Sequence, residues 1–228
     1  CGSFGLCGTF SFDPVKTMTT GEGGMIITDD EDLWRKMSEY HDHGHDHVVN
    51  PGGRGGEGRS FVGFNFRMME LQGAIGLAQL AKLDEIVAAQ RRNKAALRKI
   101  VAALPGVSFR TILDPAGDNA SFLAFFLPDA ATTRRVNGIL GQQGAGAVYF
   151  ANNTWHYYPK WEHLLAGSTL AGSGWPFKEA DGRRRVHYDP AALPQSADIM
   201  DRLLVYPVPV KLSDERLDQI GKAILAAC

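Results

Sequence analysis

Cysteine is scarce in this chain. Its 228 residues hold three, Cys1, Cys7 and Cys228, too few and too scattered for a disulfide framework, so a reducing cytoplasm is the expected compartment. An excess of charge is equally lacking. Lys and Arg number 24 against 25 Asp and Glu, a formal net charge of -1, which gives no electrostatic reason to expect nucleic acid. No apolar run approaches the roughly eighteen residues needed to span a bilayer. No basic, hydrophobic and cleavage regions mark a signal peptide. An initiator Met is lacking too, and Cys1-Gly2-Ser3-Phe4-Gly5 runs straight into a strand-like segment. A fragment of a longer polypeptide is therefore expected, rather than a processed N-terminus. What the chain does have is apolar material, 44% of residues against 21% charged, enough for a sizeable core in one large domain or two small ones.

Strand and helix signals alternate. Thr9–Phe12 and Met25–Thr28 read as strands. Asp29 and Asp30 can cap a helix over Glu31–Tyr40. A polar, Gly-rich loop follows, from His41 to about Ser60. Leu71, Ala74, Ile75 and Ala78 fall at helical spacing, as do Leu97, Ile100, Val101 and Leu104. The pattern predicts one long helix over 68–104, bent midway and ended by Pro105-Gly106. So long a helix suits a connector between two domains, 1–90 and 91–228. Beyond it, Val107–Leu113, Phe122–Leu127 and Ala147–Phe150 read as strands and Thr132–Gly144 as a helix. Ser213 is positioned to cap a last helix, with Asp214 and Glu215 in its first turn. Alternating β and α elements predict a small α/β domain.

Lys16 is the candidate nucleophile. It lies between an aromatic-rich strand and the Thr/Gly-rich run Thr17-Met18-Thr19-Thr20-Gly21-Glu22-Gly23-Gly24. Burial at such a place would favour the neutral amine that attacks a carbonyl. Ser11, five residues earlier, and the following threonines and glycines could meet a phosphate. That combination suits an aldehyde cofactor bearing a phosphate, such as pyridoxal phosphate. From these residues alone, a lysine capping a turn between two strands is the preferred reading.

The stretch Gly8–Asp30 resembles the lysine segment of the DegT/DnrJ/EryC1/StrS family of sugar aminotransferases. So do Val62-Gly63-Phe64-Asn65-Phe66-Arg67-Met68-Met69-Glu70-Leu71-Gln72, the segment Ala74–Leu80, Asn153-Thr154-Trp155-His156-Tyr157-Tyr158 and the stretch Arg202–Leu212. Several segments match in order, over nearly the whole chain. The resemblance implies fold type I of the pyridoxal-phosphate enzymes (aspartate aminotransferase-like, α/β), with an incomplete large domain and a small C-terminal α/β domain. It makes Lys16 the Schiff-base lysine and Ser11 a ligand of the cofactor phosphate. Asn65 would reach the phosphate of the neighbouring subunit of a homodimer with shared active sites, and Arg67 would support that interface or contact substrate. The implied reaction moves an amino group from glutamate to a nucleotide-linked keto sugar. Some family members are dehydratases in which the lysine is replaced, typically by histidine, so Lys16 favours aminotransfer. The family's acidic partner of the pyridine nitrogen and its ring-stacking aromatic lie N-terminal to the lysine. Fifteen residues cannot hold them, so the isolated chain is expected to bind the cofactor poorly and to be inactive.

Other features stay open. His41-Asp42-His43-Gly44-His45-Asp46-His47 could ligate zinc or nickel, but Gly44 argues for a turn. A solvated or substrate-facing loop is the preferred reading, with His43 the candidate substrate contact and no metal site. Gly52–Arg59 lacks the Gly-Lys-Ser/Thr of a phosphate loop and reads as a flexible loop, with Arg54 or Arg59 able to meet an anion. Asn153–Tyr158, with Trp161 and His163, suits either a carbohydrate-facing wall, with Tyr157 as substrate contact, or simple packing. The wording of the histidine loop, of Asn153–Tyr158 and of Leu193-Pro194-Gln195-Ser196 resembles a subgroup that aminates the 8-position of a 3-deoxy-octulosonate sugar acid. A non-catalytic binding module built on the histidine loop or a helix face is the remaining alternative.

Overall fold

The computed structural model describes residues 2–46, 56 and 58–228, and the chain divides into two units, Cys1–Ile86 and Val87–Cys228. His47 and Arg54, named above, lie outside the described residues, as does most of the Gly-rich loop.

In the first unit, β1 (Gly8–Ser11) pairs antiparallel with β2 (Gly24–Ile27), with Thr9 opposite Ile26 and Phe10 opposite Met25. The helix α1 (Glu31–Tyr40) starts where its acids predict. The Asp30 carboxylate accepts the Leu33 N–H at 2.8 Å, and Glu31 and Asp32 lie against the positive end of the helix dipole. Next come the short pair β3 (His45–Asp46) and β4 (Gly58–Arg59) and the helix α2 (Glu70–Leu80). Among the described residues of this unit, Phe12 is the one buried apolar side chain. Leu71 and Leu77 of α2, Ile26 of β2 and Phe66 are all exposed.

The single helix expected over 68–104 is two helices, α2 and α3 (Leu83–Val101). At the break the Lys82 N–H bonds to Gln79 O, three residues back, and the Ile86 N–H restarts the α pattern from Lys82 O. The physical reason lies in the apolar phase. At about 100° per residue, the stripe that starts at Leu71 and the one that starts at Leu97 point about 80° apart. The apolar pattern is thus not continuous in phase across the break, and the stripe buried in a core is the one of Leu97 and Val101.

The second unit contains the principal core. Its elements after α3 are β5 (Ser108–Phe109), β6 (Phe122–Phe126), α4 (Ala130–Gln142), β7 (Val148–Tyr149), α5 (Glu162–Ala166), α6 (Pro194–Arg202), β8 (Leu203–Pro207) and α7 (Asp214–Ala227). The strands form one four-stranded sheet in the order β5-β6-β8-β7, every neighbouring pair antiparallel. In β6, Leu123 and Phe125 are buried and alternate with less buried residues, the period-2 signature of a strand with one face on the core. Leu203 to Tyr206 of the central strand β8 are buried one after another. Leu97 and Val101 of α3, Val136 and Leu140 of α4, and Ile220 and Ile224 of α7 close over them. Tyr206 stacks on Phe125 at 5.8 Å and donates its hydroxyl to Ala145 O at 2.6 Å, and burial pushes its phenol up to about 12. Both helix starts are capped by side chains: Asp129 accepts the Thr132 N–H at 2.8 Å, and Ser213 accepts the Arg216 N–H at 3.2 Å.

The strand expected over 107–113 is confined to β5. After it the Arg110 N–H bonds to Ala124 O, and the chain then turns at Asp114–Gly117. Lys94 of α3 reaches Asp118 beyond that turn at 2.5 Å, with only 11% and 16% of the two side chains exposed. Burial raises the Asp118 pKa. The Lys94 hydrogen bond, the Ala120 N–H and the charges of Lys94 and Arg110 more than offset this, and hold the carboxyl below its usual 3.8.

Two stability outcomes follow. Leu204→Ala, at a fully buried position, lowers the unfolding free energy by about 3 kcal/mol in urea titrations. Because the Asp118 pKa is lower folded than unfolded, its stabilisation is fully present above the unfolded value and is lost as pH falls through the folded one. Asp118→Asn is therefore less stable at neutral pH but loses less stability on acidification below about pH 4, as read from thermal midpoints.

Candidate active site

The loop that carries Lys16 is closed by the main chain of Phe12. Its N–H bonds to Gly23 O at 2.9 Å, and its carbonyl accepts both the Thr20 N–H and the Thr19 hydroxyl at 3.0 Å. Gly23, at φ 142°, is required here, since a Cβ would stand 2.8 Å from the Thr20 hydroxyl oxygen. Inside this closure lies a tight turn. Asp13 accepts the Val15 N–H on Oδ1 at 2.9 Å, and the Lys16 N–H bonds to Asp13 O at 3.2 Å. The turn holds Lys16 Nζ 3.3 Å from Asp13 Oδ2. Ser11 donates its hydroxyl to the same carboxylate at 3.4 Å. The Val15 N–H bond first, and Lys16 and Ser11 with it, holds the Asp13 carboxyl below its usual range.

The expected burial of Lys16 is corrected by this geometry. Its side chain is 46% exposed and its charge is paired. The aromatic strand and the Thr/Gly turn that suggested an interior position bury Phe12 and Thr20 and leave the tip of the turn outside.

A second cluster is built on Asp42. Residues 64–67 run antiparallel to 40–43: the Phe64 N–H bonds to Tyr40 O, the His43 N–H to Phe64 O and the Phe66 N–H to His41 O, each at 2.9 Å. This places Asn65 opposite Asp42. The Asp42 side chain is 10% exposed; its Oδ1 accepts Arg67 Nη1 at 2.7 Å and lies 3.2 Å from His43 Nδ1. Asn65 is exposed, and its Oδ1 meets the Arg67 N–H at 3.4 Å. His43 adopts φ 59°, and Gly44 beside it leaves no room for a side chain, since a Cβ would lie 1.8 Å from Phe61 O. His43, His45, Arg59 and Phe61 line an open hollow of about 670 Å³.

The two clusters are tied through Gln72. Its Oε1 accepts the Met69 N–H at the start of α2, and its Nε2 donates to Glu22 O of the lysine loop, both at 2.9 Å. The structure thus groups Ser11 with Lys16 around Asp13, and His43, Asn65 and Arg67 around Asp42. Sequence reasoning missed both carboxylates and Gln72. The spacing of Asp13 and Lys16, three residues apart in a turn, was the available signal for the first.

Tyr157 belongs to the second unit. It is buried, and burial, with Asp201 and Tyr149 beside it, pushes its phenol above the usual value. Its burial agrees with the packing alternative of the sequence reading. The exposed aromatic of that segment is Trp155, 80% open, on a turn where Asn153 Oδ1 accepts the N–H groups of Trp155 and His156. Among the described residues, no group of three or more His, Cys, Asp or Glu side chains is placed to hold a metal ion, and no helix is long and apolar enough to cross a membrane.

Residues 1–179 match the model of the DegT/DnrJ/EryC1/StrS aminotransferase family. The chain belongs to that family. Over 91 residues it is 50% identical to a GDP-perosamine synthase of Caulobacter vibrioides, a match to 40% of this chain and 23% of that protein. The structure of DesI, solved in the presence of its TDP-sugar product, superposes on 99% of this chain and 50% of DesI, with TM-score 0.68 and 27% identity. The PLP form of the putative sugar aminotransferase Spr1654 of Streptococcus pneumoniae covers 99% of this chain and 52% of its own, with TM-score 0.72 and 17% identity. The fold is therefore the expected fold type I. This family chain spans about half the length of the solved relatives it matches.

The residues present suit pyridoxal phosphate. The Lys16 amine is reachable from solvent, and Ser11 offers a hydroxyl committed only to a long bond.

Gly44→Ala opens the pairing of 40–43 with 64–67 at a cost of about 2 kcal/mol. Amide exchange at His43, Phe64 and Phe66 then speeds up by roughly 30-fold relative to the parent chain.

Proposed function

We propose that this chain provides the lysine-bearing part of a pyridoxal-phosphate-dependent aminotransferase that moves an amino group from glutamate to a nucleotide-linked keto sugar. The observation that carries the reading is the reachable Lys16 amine on a pinned loop, with Ser11 beside it, in a chain of this family. The presence of Lys16 also favours aminotransfer over the dehydratase activity named for some relatives.

Each residue has a distinct task. Lys16 Nζ would carry the cofactor through its aldehyde carbon, after leaving its ion pair with Asp13. The Ser11 hydroxyl would donate to the phosphate. Asn65, exposed on its strand, would reach the phosphate of a second copy, so that two chains complete each site. Arg67 keeps one nitrogen on Asp42 and has further N–H groups for an anionic group of the substrate or for the interface between copies. His43 faces the hollow, where a sugar hydroxyl or acid could meet its ring. When bound, the cofactor supplies an electron sink for the charge left on the donor's α-carbon. Lys16 Nζ, where its amine is free, would act as general base toward the donor's α-carbon and as general acid in the reverse direction on the sugar.

A second substrate reading is a 3-deoxy-octulosonate sugar acid aminated at its 8-position. The hollow favours it, because Arg59 and two histidines on its wall would offer partners to a carboxylate. Glutamate-dependent amination of each substrate class by the holoenzyme decides between the two.

Lys16→Ala in the holoenzyme lowers turnover by more than about 10³-fold and removes the shifted absorption band of the lysine-linked cofactor. Turnover near the parent level with the parent's absorption band retained would overturn the assignment.

A further inference from the structure

A basic cleft in the second unit has no part in the reading above. Its volume is about 500 Å³. Arg91, Lys94 and Arg98 enter it from one face of α3, at positions i, i+3 and i+7, and Arg110 enters from the segment after β5. Among its described lining residues, Asp118 is the lone carboxylate, so positive groups outnumber negative ones by three.

The cations do two kinds of work. Arg91 bonds to the carbonyls of Ala116 and Asp118, and Lys94 holds the Asp118 carboxylate. These bonds fix the wall formed by 114–120, where Ala120 is buried at φ 61°, a conformation that persists only when its surroundings enforce it. Arg98 and Arg110 are left for a ligand. Arg98 lies over the Phe109 ring, 3.9 Å from its centroid, a cation–π contact that restrains its guanidinium. Arg110 is 55% exposed and only 4.0 Å from Asp118, at the outer limit of an ion pair. Two guanidinium groups lining one concavity suit an anion with several closely spaced oxygens. A surrounding excess of one sign strengthens that attraction. Its pre-formed wall reduces the ordering cost of binding.

We propose that this cleft is a binding site for a polyphosphate group, held by Arg98 and Arg110 against the wall that Arg91 and Lys94 fix. The site is independent of the aminotransferase reading.

The test is calorimetric titration of the 228-residue chain with inorganic pyrophosphate at low ionic strength. One binding event is expected, weakened about tenfold or more when Arg98→Gln and Arg110→Gln are combined. The pair Ser11→Ala and Lys16→Ala, at the other phosphate-ligating candidate, leaves it unchanged. Arg110→Gln alone, at the more exposed position, shows a partial loss and serves if the double variant melts earlier than the parent. No heat at millimolar pyrophosphate, affinity within twofold of the parent in the arginine variants, or loss of binding in the Ser11 and Lys16 variants instead would each overturn the site.

Discussion

The main chain of Phe12 is the constraint on which the candidate active site depends. Its N–H and carbonyl take three bonds that fold residues 12–23 back on themselves, and its ring is the buried apolar anchor of that unit. Everything proposed for Lys16 follows from this closure. A lysine on an open loop would spread its amine over many positions, each costing entropy to recover. Here the Asp13 turn leaves it few. Asp13 also shields the charge in the resting chain, through a pair that is exposed and therefore weak enough to exchange.

The two units distribute their apolar residues differently. The second buries a continuous core between a four-stranded sheet and the helices α3, α4 and α7. The first has helical and strand geometry without a comparable core among its described residues, and leaves Leu71, Leu77, Ile26 and Phe66 open. The residues proposed for chemistry sit on that open unit. In the second unit, strand β8 is interior to the sheet, with β6 on one edge and β7 on the other.

Local signals were legible in the sequence, and long-range ones were not. The start of α1 was readable because Asp30, Glu31 and Asp32 act within one turn of the helix they begin. Ser213 was readable for the same reason. The strand β8 went unread: a run of consecutive apolar residues buried on both faces carries no alternation, and helix α6 joins it without a turn residue. Lys16 and Ser11 were found by spacing and resemblance. The exposure of Lys16 was not, since it depends on which side of a short loop meets Phe12. Asp42 was visible in the sequence only as one acid among histidines. Its pairing with Arg67 bridges 25 residues and exists only once two segments align.

Gln72 has a consequence for how this fold can vary over evolution. One amide side chain spans the first turn of α2 and the lysine loop, and the strand segment bearing Asn65 and Arg67 ends just before it. The chain length between Asn65 and Gln72 therefore acts as a fixed ruler. An insertion or deletion there would swing the helix start away from Glu22 while leaving each segment intact by itself. Changes of length are far cheaper in the exposed connection between α5 and α6, where neither cluster of the candidate site is measured against the other.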